Sequence, residues 1–298
     1  MHYFWPRYWL IWLGLGLLRL ITLLPWHWRI ACGRKIGQLL YQLSGQRRHI
    51  VYRNITRCFP ELSYEQQRQL AKQTFAANGI GIIESAVTWW CPLTQLQSCV
   101  TLTGAELIQQ AQAKGQGVIL AGAHYSTLDL GGILLSHSYP YHATYRPNNN
   151  ALLDAIIQRG RLRHLPGMVT RDDLRSVVKL LRQGQIVWLA VDQDMGKERS
   201  QFAPFFGIDA ATTPIISRLA HSSGARILLF SHHRNQDNKT YTLRLNALEG
   251  VPSDDPQIDT KQLNKAIEAE VRRCPEQYLW LHRRFKTRPP SDVIDFYK

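Results

Sequence analysis

Hydrophobic positions along this chain fall into three regimes. From Tyr8 to Leu24 they are nearly continuous, YWLIWLGLGLLRLITLL, interrupted by one charge at Arg19. Seventeen helical residues extend about 26 Å at roughly 1.5 Å each, a little short of the ~30 Å hydrocarbon core of a bilayer. The segment is therefore expected to be an N-terminal membrane-anchoring helix that spans with local thinning or lies partly embedded. Pro25-Trp26-His27-Trp28 follows it instead of a small-x-small cleavage site, which argues against a removed signal peptide.

The second regime is helical. Ser63–Trp90 opens with a Ser cap, carries Glu65 to Gln67 in its first turn, and repeats apolar residues at Leu70, Phe75, Ile80, Ile83 and Val87. Gly79 and Gly81 weaken its middle, which predicts either two helices or a kink. In the third regime, from residue 100 on, short apolar runs alternate with amphipathic stretches. Strands are predicted at Val100–Thr103, Gly117–Ala121, Tyr141–Tyr145, Ile186–Val191, Ala225–His232 and Thr240–Leu245. Helices are predicted at Ala105–Lys114, Leu128–Leu135, Ala151–Arg163, Asp172–Gln183, Pro214–Ser222 and Thr260–Arg273. Such alternation predicts an α/β fold, a mostly parallel sheet flanked by helices, with ligands at the carboxyl ends of the strands. The expected organisation is an anchor (1–28), a membrane-proximal helical region (29–99) and a catalytic α/β domain (100–298).

Charge sharpens this picture. The net charge is +14 over 298 residues, but residues 1–60 hold nine Lys/Arg and no Asp or Glu, residues 61–270 are nearly neutral, and residues 271–288 hold six Lys/Arg against one Glu. Positive charge beside a segment with Trp5, Trp9, Trp12, Trp26 and Trp28 suits an anionic membrane surface; it does not follow an aromatic-studded sheet face, as a nucleic-acid binder would have it. Arg7 alone precedes the apolar segment, whereas Arg29, Arg34, Lys35, Arg47, Arg48, Arg53 and Arg57 follow it, which is expected to put the body on the cytoplasmic side of the membrane. Five cysteines without close spacing predict reduced thiols rather than a disulfide framework.

The most informative stretch for chemistry is Gly117–Leu135, GVILAGAHYSTLDLGGILL. A buried strand ends in small residues, His124 follows at once, Ser126 or Thr127 can cap the next helix, and Asp129 sits in its first turn. An imidazole there can take a proton from an alcohol, with a carboxylate on its other nitrogen to fix the tautomer and stabilise the imidazolium; the alternative is a loop histidine with Asp129 answering the helix dipole. His232-His233 is adjacent on a strand, so the side chains face opposite ways and no shared metal is expected. No GxSxG elbow and no Gly-rich phosphate loop is present, and no cofactor is expected.

The block AHYSTLDLGG resembles the glycerolipid acyltransferase superfamily, and more of the chain resembles its lipid A branch, the late acyltransferases that add secondary acyl chains to lipid A precursors. RNITRCFPELS (53–63), TYRPNNNALLDAIIQRGRLR (144–163), VTRDDLRSVVKLLRQGQIVWLAVDQDMG (169–196) and PEQYLWLHRRFKTRP (275–289) carry the likeness in family order. The resemblance implies His124 as general base with Asp129, where the branch often has Glu, as its partner. It also implies substrate contacts at Arg146, Asn148, Arg161, Asp192 and Asp194, an acyl carrier protein as donor and a lipid A precursor as acceptor, with direct attack of the acceptor hydroxyl on the thioester in a ternary complex rather than through an acyl-enzyme. At those positions either guanidinium suits a phosphate or a developing oxyanion, and Asp192 or Asp194, at the end of the IVWLAV strand, can orient His124, hold a sugar hydroxyl or merely cap a turn. An acidic donor would suit the basic cluster Arg283/Arg284/Lys286/Arg288, for which headgroup binding is the alternative. A glycerophosphate or lysophospholipid acyltransferase usually carries an EGTR-like block where this chain has DQDMGKERS; a non-enzymatic membrane-tethered lipid-binding protein would show no dependence on His124.

Overall fold

A computed structural model of the chain describes residues 3–290, 292 and 295–298, except for the side chain of Gln95. A 3-10 turn at Pro6–Tyr8 leads into helices α1 (Trp9–Ile21), α2 (Trp26–Leu43), α3 (Gly45–Cys58), α4 (Tyr64–Trp90) and the short α5 (Thr94–Gln97). The alternating part runs β1 (Val100–Thr103), α6 (Ala105–Ala113), β2 (Val118–Gly122), α7 (Leu128–Ser138), β3 (His142–Tyr145), α8 (Ala151–Arg161), β4 (Gly167–Thr170), α9 (Leu174–Arg182) and β5 (Ile186–Ala190). A hairpin of β6 (Gln201–Phe205) and β7 (Ile208–Thr212), then α10 (Ile215–Ser223), β8 (Arg226–Arg234), β9 (Tyr241–Ala247) and α11 (Pro256–Arg273), complete the order.

Seven strands form one sheet in the order β1-β9-β8-β2-β5-β3-β4, with every neighbouring pair parallel except β8–β9. The mostly parallel sheet expected from the alternation is therefore present. β2 is buried along its whole length, and its residues divide between two cores as the period of a strand demands. Ile119 and Ala121, with Val187, Leu189, Ile227 and Leu229, face a core shared with α9, α10 and α11. Val118 and Leu120, with Trp188, Leu228 and Phe230, face a second core shared with α6 and α7.

Three elements depart from the sequence reading. β4 is a four-residue edge strand, GMVT, with no residue buried and no alternation of buried and exposed positions to mark it. The β6–β7 hairpin turns through Phe206 and Gly207, both at positive φ as a tight two-residue hairpin loop requires; Phe is an unusual residue there, and Pro204 obscured the preceding strand. The third is the N-terminus. α1 ends at Ile21, the Thr22 hydroxyl turns back onto the Arg19 carbonyl, and Pro25 begins α2. Among the described residues no helix is long and apolar enough to cross a membrane, so the spanning anchor is not supported. Instead α1 rests on the protein through Leu15, which clusters with Tyr8, Trp89, Trp90 and Ile156.

α4 is a single unbroken helix, begun by a reciprocal Ser63/Gln66 capping box. Its glycines are contact points rather than breaks. A Cβ on Gly79 would lie 2.2 Å from the Gly33 carbonyl oxygen and 2.4 Å from the Gly37 nitrogen of α2. Two helix backbones touch there because neither side carries a side chain. Gly79→Ala is expected to lower stability by about 1–3 kcal/mol through overpacking, despite a gain of about 1 kcal/mol in helix propensity. Gly16→Ala, in open space on α1, should show the propensity gain alone. Denaturant unfolding of both variants checks this, and a more stable Gly79→Ala would refute the close-approach account.

Candidate active site

His124 lies two residues beyond the end of β2, and Asp192 two residues beyond the end of β5. Those strands pair in parallel with Gly122 opposite Ala190, and Val191 N–H still donates to the Gly122 carbonyl. The register therefore carries His124 and Asp192 side by side out of the carboxyl end of the sheet. Asp192 Oδ1 accepts from His124 Nδ1 at 2.7 Å, and Oδ2 accepts from the His124 backbone N–H at 2.9 Å. Burial alone would raise the Asp192 carboxyl, but His124, through its charge and both hydrogen bonds, with Arg284 behind it, brings it down to about 2. The stability that Asp192 contributes is thus complete above its usual value of 3.8 and is lost as pH falls through about 2; the group stays ionised throughout the neutral range.

The other ring nitrogen, Nε2, receives a hydrogen bond from the Gln193 side-chain amide at 3.2 Å. An amide N–H can only donate, so Nε2 carries a lone pair and Nδ1 the proton, which is the tautomer of a general base. The loop itself is strapped from behind by the segment after α11. Tyr125 bridges Tyr278, Ser126 N–H donates to the Gln277 carbonyl at 2.7 Å, and Leu279 N–H donates to the His124 carbonyl at 2.9 Å. Below the loop, Gly81 of α4 leaves room for the Ser126 carbonyl, 2.1 Å from where its Cβ would be. The Thr127 hydroxyl, expected as a helix cap, bonds instead to His232 on β8. Burial, reinforced by His233, holds His232 at about 3 and hence neutral.

Asp129 does not reach the imidazole in this structure. It sits in the first turn of α7 as expected, but Arg161 of α8 takes its Oδ1 with Nε at 2.8 Å and an Nη at 2.7 Å. The expected partnership of His124 with Asp129 is replaced by two pairs, His124–Asp192 and Asp129–Arg161. Asp194 turns away to accept from the Thr287 backbone and hydroxyl and from Gly196 N–H. Asn148 serves the turn before α8, accepting from Asn150 N–H while its own N–H donates to Asp154. The basic cluster near the C-terminus is only partly a surface: Arg284 is buried, donating to Ala211 and Thr212, and Arg288 pairs with Asp292. Arg283 and Lys286 remain exposed.

His124 opens on a cavity of about 700 Å³. One part of its wall is apolar and buried, with Ile133, Tyr141, Leu165, Trp188 and Phe230; another is charged, with Arg146, Arg171, Asp172, Glu198, Arg199 and Arg218. Asp129, Arg161, Gln193 and His232 also line it. Gln193 and His232 were not singled out in the sequence as site residues. Gln193 could have been suspected from its place inside Asp192-Gln193-Asp194, whereas nothing local marks His232, which is brought in by β8 lying beside β2.

A sequence profile of the family described as bacterial lipid A biosynthesis acyltransferase matches residues 1–287. The chain is 38% identical over 289 residues to a lipid A biosynthesis palmitoleoyltransferase of Escherichia coli, with 96% of this chain and 94% of the relative covered. It is 39% identical over 288 residues to the lipid A biosynthesis lauroyltransferase of the same organism, with 95% and 94% covered. A lipid A biosynthesis myristoyltransferase from that source is 27% identical over 294 residues, with 97% and 90% covered. A match from end to end, over the strand–histidine–helix block and the segment that straps it alike, shows that the chain belongs to the bacterial lipid A biosynthesis acyltransferases.

Proposed function

We propose that this acyltransferase moves a fatty acyl group from an acyl carrier protein thioester to a hydroxyl of a lipid A precursor, with His124 as general base and Asp192 as the carboxylate that orients it. The observation that carries this reading is the His124–Asp192 pair opening on a cavity that is apolar on one side and cationic on another. The apolar lining residues suit an alkyl chain and the cationic ones an anionic headgroup. Nε2 takes the proton of the acceptor hydroxyl as that oxygen attacks the thioester carbon, once Gln193 has yielded its place. The imidazolium, stabilised by Asp192, then returns the proton to the thiolate as the C–S bond breaks. Arg161, largely neutralised by Asp129, suits the reacting carbonyl oxygen better than a phosphate dianion. Relatives named for lauroyl and palmitoleoyl transfer match this chain almost equally well, so overall similarity does not select an acyl length.

The reading extends to the membrane surface. Trp9, Leu10, Leu13, Leu17 and Leu20 of α1 are exposed, as are Phe4, Trp5, Leu23 and Trp28 around it, and Arg29, Arg34 and Lys35 follow. This is the make-up of a helix that lies in the interface plane of an anionic bilayer rather than across it.

His124→Ala is expected to reduce acyl transfer by on the order of 10²–10⁴ without loss of folding, and a variant that keeps over half its activity would remove His124 from the chemistry. Asp192→Asn should lower kcat by a similar factor with acceptor KM little changed, because it disturbs the tautomer and the imidazolium rather than binding. Asp129→Asn, in contrast, leaves Arg161 without its counter-charge and should lower the thermal midpoint as well as activity. Steady-state kinetics and thermal melts on the two Asn variants decide which carboxylate serves the imidazole; a kcat defect larger for Asp129 than for Asp192 would reverse the assignment.

For the membrane, the triple change Leu10→Ser, Leu13→Ser and Leu17→Ser spares the buried Leu15 and Tyr8. Each buried Leu is worth about 1.5–3 kcal/mol, so sedimentation with anionic vesicles should fall sharply, and the remainder should be released by salt. Binding that is unchanged in high salt would place the membrane contact elsewhere.

A further inference from the structure

The charged mouth of the cavity contains a pair of cations that the protein does not neutralise. β3 and β4 are in register with Tyr145 opposite Thr170, and Arg171 N–H donates to the Tyr145 carbonyl at 2.9 Å. Arg146 and Arg171 are therefore the next residues on two adjacent parallel strands, side by side at the carboxyl end of the sheet, and both line the cavity that holds His124. Like charges in neighbouring positions on a sheet repel. Arg146 makes no hydrogen bond or ion pair among the described residues. Arg171 has one Nη on the weak acceptor Met195 Sδ at 3.7 Å, and its Nε is buried without a hydrogen-bond partner. The nearest carboxylate, Asp172, stands 4.0 Å from that Nε; it is two-thirds exposed and is engaged by Arg199 at 3.1 Å. Among the other lining residues, Arg218 of α10 adds a further positive charge and Glu198 a negative one, leaving this part of the lining cationic. Arg161 differs in that Asp129 already occupies its fork.

We propose that Arg146 and Arg171 form a clamp for a phosphate group carried by a substrate of His124. Two adjacent guanidinium forks with open donors match the several oxygens of a phosphate, which a single carboxylate does not fill. Which substrate carries the phosphate rests on the acyl-transfer reading: a sugar phosphomonoester on the acceptor glycolipid, or the phosphodiester of the donor's phosphopantetheine arm.

Binding without turnover tests the clamp. Full-length protein carrying His124→Ala is titrated calorimetrically in detergent micelles with a bisphosphorylated diglucosamine lipid and with its dephosphorylated counterpart. In parallel it is titrated with an acyl-phosphopantetheine and with the phosphate-free acyl thioester of N-acetylcysteamine. Adding Arg171→Ala is expected to weaken binding of one phosphorylated ligand by roughly 10- to 150-fold, the factor for a charge-assisted hydrogen bond. Its phosphate-free counterpart should be unaffected. Arg146→Ala should act alike, and Arg171→Gln with an unchanged thermal midpoint guards against misfolding. A loss confined to the glycolipid assigns the clamp to the acceptor, and a loss confined to the pantetheine ligand assigns it to the donor. Equal losses with and without phosphate, no loss, or no measurable binding of any ligand overturn it. If unmodified protein fails to transfer acyl groups while phosphate-dependent binding persists, the function reading falls and the clamp stands.

Discussion

The parallel pairing of β2 with β5 is the constraint on which the site depends. It sets two loops side by side, one ending in His124 and the other in Asp192, and the doubly hydrogen-bonded carboxylate then fixes both the ring and the backbone of the histidine. The register is itself enforced by burial. β2 is inaccessible on both faces, so a slip of one residue would exchange the residues facing its two cores. Gly122, the last residue of β2, has no side chain because the Trp188 indole of β5 occupies that space, 2.2 Å from where a Cβ would stand. The same indole meets the His124 ring edge-on, with centroids 6.5 Å apart. Core packing and site geometry are thus one arrangement.

Around that axis, distant parts of the chain converge on the loop. Gln277 supplies its carbonyl to Ser126 and uses its side-chain amide on both backbone groups of Arg234 at the end of β8. Arg234 in turn forms a buried pair with Glu84 of α4, 2.7 Å apart, and Tyr241 donates to the same carboxylate. Such a pair is weak evidence for net stability, but losing one partner is severe, on the order of 3–5 kcal/mol. Its consequence here is positional: α4, β8 and the C-terminal strap are locked to one another immediately behind the histidine. Arg284 belongs to this framework too, which is why a basic cluster in the sequence is not a basic surface.

The cavity draws its two characters from the two directions in which elements leave the sheet. α7 and the inward faces of β3, β5 and β8 provide apolar walls, while the carboxyl ends of β3 and β4 and the loop after β5 provide the charges.

Much of this was legible in the chain. Apolar period and length marked the sheet strands other than β4, and the Ser63 cap marked the start of α4. The strand–histidine–helix order of 117–135 marked the loop that carries His124, because each of these signals is local and survives in one dimension. The N-terminal run reads as a membrane anchor, spanning or partly embedded, because hydropathy measures composition; Pro25 and the seat of Leu15 on the protein decide where the helix stops and which face is left open. The glycines of α4 read as weakness until α2 was placed against them. Asp129 was the natural partner for His124 because five residues is a short reach. Asp192 is 68 residues away in sequence, and strand pairing brings it to 2.7 Å while Arg161 claims Asp129. The sequence by itself determined most of the sheet strands and where the histidine sits along them. Only the tertiary structure decided which carboxylate it meets and which arginines stay unpaired, since both depend on which strands lie side by side and on what packs against their ends.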